Sequence, residues 1–175
     1  DVRLIQEMLK EVGTAQFELG YVVRLNEALQ RLGEEAFDMV LLDLGLPDSQ
    51  GLDTLIRVQA QLPDVPIVVL TALADEALGV KAVQQGAQDY LLKGQVDSNL
   101  LVRTMRYAIE RKRAEEKLRQ SEEKLRVTFE SIKDGVIVTD LEGRILDVNE
   151  ATLRMQGHSR EELIGTDGLR FIAEK

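Results

Sequence analysis

Cysteine is absent from this sequence of 175 residues, so the chain can form neither a disulfide framework nor a thiolate metal site. No apolar run approaches the roughly 20 residues that a membrane-spanning helix requires. Positive charge is also scarce, because 22 Lys and Arg residues stand against 31 Asp and Glu residues, for a formal net charge of −9. That balance argues against a nucleic-acid partner, which would require a basic face. These absences predict a soluble, cytoplasmic protein or fragment with no membrane and no nucleic acid among its partners.

Short apolar runs alternate with amphipathic segments in the first part of the chain. Residues 40–42 and 67–70 are continuously apolar, which is typical of parallel strands that are covered on both faces. Residues 21–23 and 90–92 predict two weaker strands, and helical apolar patterns lie between the runs. This alternation predicts an α/β fold with a doubly wound parallel sheet.

A polar residue directly follows three of these runs. The three residues are Asp43, Thr71 and Lys93. Because the carboxyl ends of parallel strands meet at one edge of a sheet, we expect their side chains to lie close together. A carboxylate, a hydroxyl and an ammonium group suit phosphoryl transfer, which depends mostly on positioning and on neutralising the transferred oxygens. The alternative is a turn-forming aspartate, a strand-end threonine and a surface lysine with no shared role.

Three segments around these residues resemble the motifs of response-regulator receiver domains. They are residues 43–53 (Asp-Leu-Gly-Leu-Pro-Asp-Ser-Gln-Gly-Leu-Asp), 69–72 (Val-Leu-Thr-Ala) and 86–93 (Gly-Ala-Gln-Asp-Tyr-Leu-Leu-Lys). The resemblance covers about residues 1–113 and implies a five-stranded, flavodoxin-like sheet. It also implies that Asp43 accepts a phosphoryl group from a histidine kinase or a phosphotransfer protein.

The same resemblance implies roles for other residues at this edge. Thr71 would be the switch hydroxyl, and Lys93 would pair with the phosphate. Tyr90 would be the aromatic side chain whose rotamer reports the phosphorylation state. Asp43 and the main-chain carbonyl of Gly45 would bind Mg²⁺, the cofactor that the family implies.

Two features depart from the family's pattern. Receiver domains begin with a strand that ends in an acidic pair, which holds the Mg²⁺, whereas this sequence begins at Asp1 in what resembles the first helix. We expect the pair to lie ahead of Asp1 in a longer chain. The second departure is Gly94 after Lys93, where the family usually has proline in a cis bond. The alternative function is therefore a degenerate receiver, which acts as a dimerisation and protein-interaction scaffold without phosphorylation.

Residues 99–131 predict one long helix, because they contain neither glycine nor proline and are rich in Glu, Arg and Lys. From Ala114 onward, small, apolar or hydroxyl residues recur at alternating spacings of four and three, ending one residue beyond this stretch: Ala114, Leu118, Ser121, Leu125, Thr128 and Ile132. This heptad seam predicts a coiled coil that joins two copies of the chain in a homodimer. A solvated, monomeric helix is the alternative.

The chain from about residue 126 onward resembles the opening of a PAS domain. Residues 134–140, 147–149 and 157–165 carry this resemblance, which covers about half a domain. His158 is the sole histidine and lacks the helical context of a phosphodonor histidine, so we expect it to be structural.

Three consecutive regions follow from these patterns. We predict a receiver domain over residues 1–101, a helical coiled-coil linker over 102–130 and a partial α+β PAS domain over 131–175. The linker would pass the phosphorylation signal to the PAS domain or to an output module. The chain itself has the pattern of a non-enzymatic signalling module. Whether a full-length parent carries a histidine kinase or a cyclic-dinucleotide output domain stays open.

Overall fold

A computed structural model describes residues 2–11, 17–72 and 76–168 of the chain. It divides into two compact units, Asp1–Glu116 and Lys117–Lys175. The long helix predicted from the sequence is confirmed as a single element, α5, over Ser98–Ser131. At 1.5 Å per residue this helix is roughly 50 Å long. None of the helices in the described part of the chain is long and apolar enough to cross a membrane.

The first unit is built around a parallel sheet. Its helices are α1 (Val2–Glu11), α2 (Leu25–Glu34), α3 (Leu52–Gln61), α4 (Glu76–Gln84) and the first part of α5. Its strands are β1 (Val40–Asp43), β2 (Gly45–Leu46), β3 (Ser49–Gln50), β4 (Ile67–Thr71) and β5 (Asp89–Leu92). Strands β1, β4 and β5 form the sheet in the order β1-β4-β5, and β2 pairs with β3 in a small antiparallel hairpin.

Helices pack on both faces of this sheet because successive side chains of its central strand point to opposite sides. Ile67 and Val69 of β4 pack in one core cluster with residues of α2, α3 and α4. Val68 and Leu70 pack in a second cluster with residues of α1 and α5. All four of these β4 side chains are buried. The prediction of a doubly wound α/β fold is therefore confirmed.

The strand predicted at residues 21–23 is wrong. These residues form no strand, and Tyr21 and Val23 are 58% and 56% exposed. A strand persists only where a neighbour supplies hydrogen bonds. In residues 17–72 and 76–168, β1 is paired with β4 alone, so residues 21–23 have no strand partner there. The described sheet accordingly has three strands, where the resemblance implied five.

The second unit contains the end of α5 and a small antiparallel sheet. Strands β6 (Ile137–Thr139) and β7 (Ile145–Val148) pair in this sheet, and α6 (Glu150–Gln156) and α7 (Arg160–Leu163) follow. A hairpin joins the two strands, with Gly143 at a φ of +84° in its turn. Ser159 caps α7 in a capping box with Glu162. Ile145, Val148 and Leu163 form the buried core of this unit.

Candidate functional site

The register of the parallel sheet brings three polar residues to its carboxyl edge. Asp43 ends β1 and is paired with Leu70, the residue before Thr71. Thr71 ends β4 and is paired with Leu92, the residue before Lys93. Thr71 therefore lies one position beyond the partner of Asp43, and Lys93 lies one position beyond the partner of Thr71. We call this arrangement a stepped register. The backbone N–H of Lys93 donates to the Thr71 carbonyl at 2.8 Å. The hydrogen bonding between β4 and β5 therefore continues as far as Lys93.

Asp43 and Lys93 form an ion pair at this edge. Lys93 Nζ donates to Asp43 Oδ2 at 2.5 Å, and the Gly45 N–H donates to Asp43 Oδ1 at 2.9 Å. The two side chains are 32% and 31% exposed, so solvent reaches both groups. The pair joins residues 50 positions apart in the chain, as the sheet topology requires. A carboxylate in this setting can be approached from solvent while a cation lies beside it to neutralise incoming anionic oxygens.

Thr71 lies at the same edge but is buried, with 3% of its surface exposed. Its Oγ1 donates to the carbonyl of Ala72 at 3.5 Å, the long limit of a hydrogen bond. Ala72, the next residue, is exposed and carries only a methyl side chain. The structure therefore brings the predicted hydroxyl to the same strand ends as Asp43 and Lys93.

Tyr90 of β5 packs against the α2–α3–α4 core cluster. Its ring lies against Gly79 of α4, so closely that a Cβ atom on Gly79 would be 2.7 Å from the ring carbon Cγ. Glycine at this position is what allows the ring to lie against the helix backbone.

The turn after Lys93 is formed without a cis bond. Gly94 has a φ of +85°, and no cis peptide bond occurs in the described residues. Proline is confined to a φ near −65° and could not adopt this conformation. Glycine at position 94 thus provides a different backbone route from the Lys-Pro turn of the family.

A magnesium ion needs several oxygen ligands in nearly octahedral geometry. Within residues 2–11, 17–72 and 76–168, no group of three or more acidic or histidine side chains could hold a metal ion. Asp43 supplies one carboxylate, and its two oxygens already accept from Lys93 and Gly45. The described residues therefore do not form a Mg²⁺ site by themselves.

One residue near this edge was not singled out from the sequence. Asp48 lies in the turn between β2 and β3, and its carboxylate accepts from the backbone N–H groups of Leu25 at 2.8 Å and Asn26 at 3.0 Å. These N–H groups belong to the first turn of α2. These two bonds hold the pKa of Asp48 below its usual range, and the bond from Asn26 has the larger effect.

A second polar arrangement lies in the other unit, where Asn149 directly follows β7. Its side chain is fully buried. The amide Oδ1 accepts from the N–H groups of Val136 and Thr152 and from Thr152 Oγ1, at 2.8–3.0 Å. The amide Nδ2 donates to carbonyls of the α5 terminus and the segment after it, at 2.9–3.4 Å: Phe129, Ile132 and Asp134.

Charged side chains of the same unit form a second set of contacts. Arg160 donates to Glu130 Oε1 at 2.7 Å and to Asp147 Oδ1. Glu130 Oε2 also accepts from the N–H of Glu150, the first residue of α6, at 2.7 Å. That backbone bond is the main cause that lowers the pKa of Glu130, and Arg160 adds to it. We call Glu130, Asp147, Asn149, Thr152 and Arg160 the Asn149 cluster.

Comparison with known families agrees with the geometry of the first unit. The model of the response regulator receiver domain matches residues 1–106. The chain belongs to the response regulator receiver domain family. In this chain the receiver is followed by a PAS fold, whose model matches residues 123–175.

Individual relatives match the receiver only in part. The regulatory protein LuxO of Vibrio cholerae serotype O1 is 45% identical over 67 residues, which are 38% of this chain and 15% of that protein. The swarming motility regulation protein RssB of Serratia marcescens is 36% identical over 93 residues, 53% of this chain and 42% of that protein. The chain thus spans less than half the length of these curated relatives.

Solved structures resemble the receiver unit. The receiver domain of NtrX from Brucella abortus is 26% identical with a TM-score of 0.55, covering 61% of this chain and 88% of that one. A response regulator receiver domain from Clostridium thermocellum is 25% identical with a TM-score of 0.56, covering 65% and 91%. Both likenesses support the receiver assignment of the sheet and its helices.

Proposed function

We propose that the chain is a phosphorelay receiver in which Asp43 accepts a phosphoryl group from a histidine kinase or a phosphotransfer protein. The observation that carries this proposal is the meeting of Asp43, Thr71 and Lys93 at one edge, with Lys93 Nζ 2.5 Å from the Asp43 carboxylate. In the reaction, a carboxylate oxygen of Asp43 attacks phosphorus and the phosphorus–nitrogen bond of the donor's phosphohistidine breaks. The proton that the imidazole needs comes from solvent, and an acyl phosphate remains on Asp43.

The side chains at the edge have separate parts in this step. Lys93 exchanges its contact with the carboxylate for one with the phosphoryl oxygens, whose charge it neutralises. Thr71 supplies the hydroxyl that responds to the new group, and Tyr90 changes its packing against α4 in the same response. Mg²⁺ remains the family's expected cofactor, with Asp43 and the Gly45 carbonyl as its ligands in this chain. The described residues do not complete that set, so no step here depends on the metal.

The proposal extends to the regions after the receiver, with a linker over residues 102–130. The linker part of α5 would carry the change to the PAS domain or another output module. Leu118 and Leu125 of the heptad seam are 61% and 68% exposed, which supports a homodimer that covers this stripe. A cytoplasmic location belongs to the same proposal.

Labelling with a radioactive acyl phosphate tests the acceptor. We expect the protein to take up one acid-stable, base-labile label, and Asp43→Asn to take up none, because the amide cannot form the acyl phosphate. Asp38→Asn is the matched control, since Asp38 is an exposed carboxylate near the other end of β1, paired with Arg113 at 2.9 Å. Full labelling of Asp43→Asn would refute the assignment.

A second function, that of an interaction scaffold without phosphorylation, is favoured by one observation. Within the described residues, Asp43 belongs to no group of three or more acidic or histidine side chains that could hold a metal ion. Wild-type protein that takes up no label but sediments as a dimer would support the scaffold over the phosphorelay receiver.

A further inference from the structure

The segment after Asp43 forms a compact loop. It includes the β2–β3 hairpin, in which Gly45 is paired with Gln50 and Leu46 with Ser49. At its start, the Gly45 N–H donates to Asp43 Oδ1 at 2.9 Å. The position of this loop therefore helps to orient the acceptor carboxylate, whose other oxygen is held by Lys93.

The base of the loop is attached to the start of α3. The Gly51 N–H donates to the Leu44 carbonyl at 2.8 Å, and Ser49 Oγ lies 2.8 Å from Thr54 Oγ1. These contacts join the two ends of the loop to each other and connect the loop to α3. Neither of them involves Asp48, which lies in the turn.

Asp48 lies at the tip of the loop. Of the hydrogen bonds described for this turn, only those to the Asp48 carboxylate come from α2. Its two carboxylate oxygens accept separately from Leu25 and Asn26, which are 23 and 22 positions away in the chain. The residue in the N-cap position of α2, Arg24, makes no side-chain cap. Asp48 thus supplies from a distant turn the acceptor that a helix usually finds in its own N-cap.

This attachment has a rigid support. Leu25 is fully buried in the core cluster that α2 shares with α3 and α4. The same cluster contains Leu44, which lies between Asp43 and Gly45. The Asp48 bonds therefore connect the loop tip to the packed part of the unit. The Asp48 carboxylate is ionised at neutral pH, as an aspartate ordinarily is, so both oxygens are available as acceptors, and the two backbone bonds lower its pKa further.

We propose that Asp48 is a positioning residue for the phosphoacceptor: by holding the β2–β3 turn on α2, it keeps the Gly45 N–H on Asp43 and fixes the carboxylate for attack. This inference rests on the proposed function of Asp43. It adds a residue that touches neither the acceptor nor the phosphoryl group. Loss of the attachment frees the loop tip, and the Asp43 carboxylate then samples orientations that do not face the donor.

The test compares Asp48→Ala with Asp53→Ala, in the full chain and with radioactive acyl phosphate as the probe. Asp53 is an exposed aspartate in the first turn of α3, so its loss removes the same charge from the same neighbourhood without detaching the loop. We expect Asp48→Ala to be labelled about tenfold more slowly, which is less than the roughly 100-fold that a 1 Å misplacement of a reacting group can cost, because Lys93 still holds the carboxylate. Asp53→Ala should be labelled at the wild-type rate.

A spectroscopic readout separates positioning from general loss of stability. Hydrogen exchange by NMR should show the Gly45 N–H losing protection in Asp48→Ala, while the amides of β4 keep theirs. Asp48→Asn, which retains an acceptor oxygen but no charge, should recover part of both the rate and the Gly45 protection. If Asp48→Ala does not fold, Asp48→Asn carries the comparison with wild type by the same two measurements.

Each outcome decides between clear alternatives. Labelling of Asp48→Ala at the wild-type rate, or equal slowing in Asp53→Ala, would overturn the positioning role while leaving Asp43 as the acceptor. Uniform loss of protection across β4 together with Gly45 would overturn it as well, because the effect would then be one of stability. A wild-type protein that takes up no label would refute the proposed function itself, and this inference with it.

Discussion

Asp43 and Asn149 are both polar residues at the carboxyl end of a strand, one in each unit, and their surroundings differ in a consistent way. The Asp43 side chain is about a third exposed and makes two hydrogen bonds, one of them to the flexible side chain of Lys93. Asn149 is fully buried, and both ends of its amide are occupied, mainly by backbone groups. A group that must meet a donor has to exchange its partners, whereas a buried amide that joins elements must keep them.

The comparison shows how to separate polar residues that support chemistry from those that support the fold. Bonds to mobile side chains at a solvent-exposed edge can be exchanged at little cost, because exposed ion pairs contribute little to stability. Bonds from a buried amide to backbone groups cannot, because each lost partner leaves a buried group unsatisfied. The following substitutions test this distinction in order of decreasing expected effect.

Asn149→Ala should give the largest loss of stability. Removing the amide leaves buried backbone groups at the end of α5 and the start of α6 without partners, and we expect a loss of about 3 kcal/mol in the second unit. Hydrogen exchange of the β6 and β7 amides in rising urea measures this loss. Intrinsic fluorescence would not report on this unit, because residues 117–175 contain neither tyrosine nor tryptophan. Asn26→Ala is the matched control, because Asn26 is exposed and accepts one bond from Arg57.

Asp43→Asn is the substitution with which the stability change of Asn149→Ala is compared. We expect it to change the stability of the first unit by less than about 1 kcal/mol, although it abolishes labelling. If Asn149→Ala and Asp43→Asn were equally destabilising, the distinction between the two regions would be wrong.

Gly79→Ala should have a smaller effect, whose sign depends on Tyr90. Alanine favours a helix over glycine by about 1 kcal/mol, but here its methyl group would overlap the Tyr90 ring. We expect a net destabilisation of about 1 kcal/mol and displacement of the ring from α4, since overpacking typically costs more than the helical gain. NMR of the tyrosine ring and urea unfolding measure the two effects.

A variant that lacks the Tyr90 ring is the control for Gly79→Ala. In Tyr90→Ala, the further change Gly79→Ala should stabilise the protein, because only the helical preference remains. Stabilisation by Gly79→Ala with Tyr90 present would contradict the described packing.

The smallest expected effect is a pH dependence in the Asn149 cluster. The folded-state pKa of Glu130 is lowered by the Glu150 N–H and then by Arg160, so its contribution to stability is complete above its ordinary pKa near 4.5. That contribution is lost as the pH falls through the lower folded-state value. The stability difference between wild type and Glu130→Gln should therefore be constant well above pH 4.5 and shrink as the pH falls below it.

Hydrogen exchange of the β6 and β7 amides at several pH values measures this difference. Glu142→Gln, at an exposed glutamate in the hairpin turn, is the control for the loss of one carboxylate from this unit. A Glu130→Gln difference that grows as the pH falls would show that the carboxylate is not stabilised in the folded state.

The features that could be predicted from the sequence are those set by local spacing. Residues 40–42 and 67–70 are apolar on every position, so their strands and the polar residues that follow them could be located directly. The capping box of Ser159 and Glu162 was equally accessible, because its two members are three residues apart. Residues 21–23 show the limit of this reasoning, since β-favouring residues form no strand without a neighbour.

The contacts that were missed join residues far apart in the chain. Asp48 has the appearance of an ordinary turn residue, and only the packing of α2 shows that its carboxylate lies on that helix. Arg160 reaches Glu130 across 30 positions in the same way. No spacing rule connects such pairs, because their distance depends on how the elements pack rather than on the order of residues.

The stepped register of the carboxyl edge also bears on how such a chain can change in length. One residue added within β1, β4 or β5 would turn the following side chains to the opposite face of the sheet and separate Asp43, Thr71 and Lys93. Residues added between a strand and the next helix would leave all three in place, at little entropic cost. Insertions and deletions in relatives should therefore cluster in the loops and spare the strands, so that the spacing between these three residues varies while each keeps its place directly at a strand end.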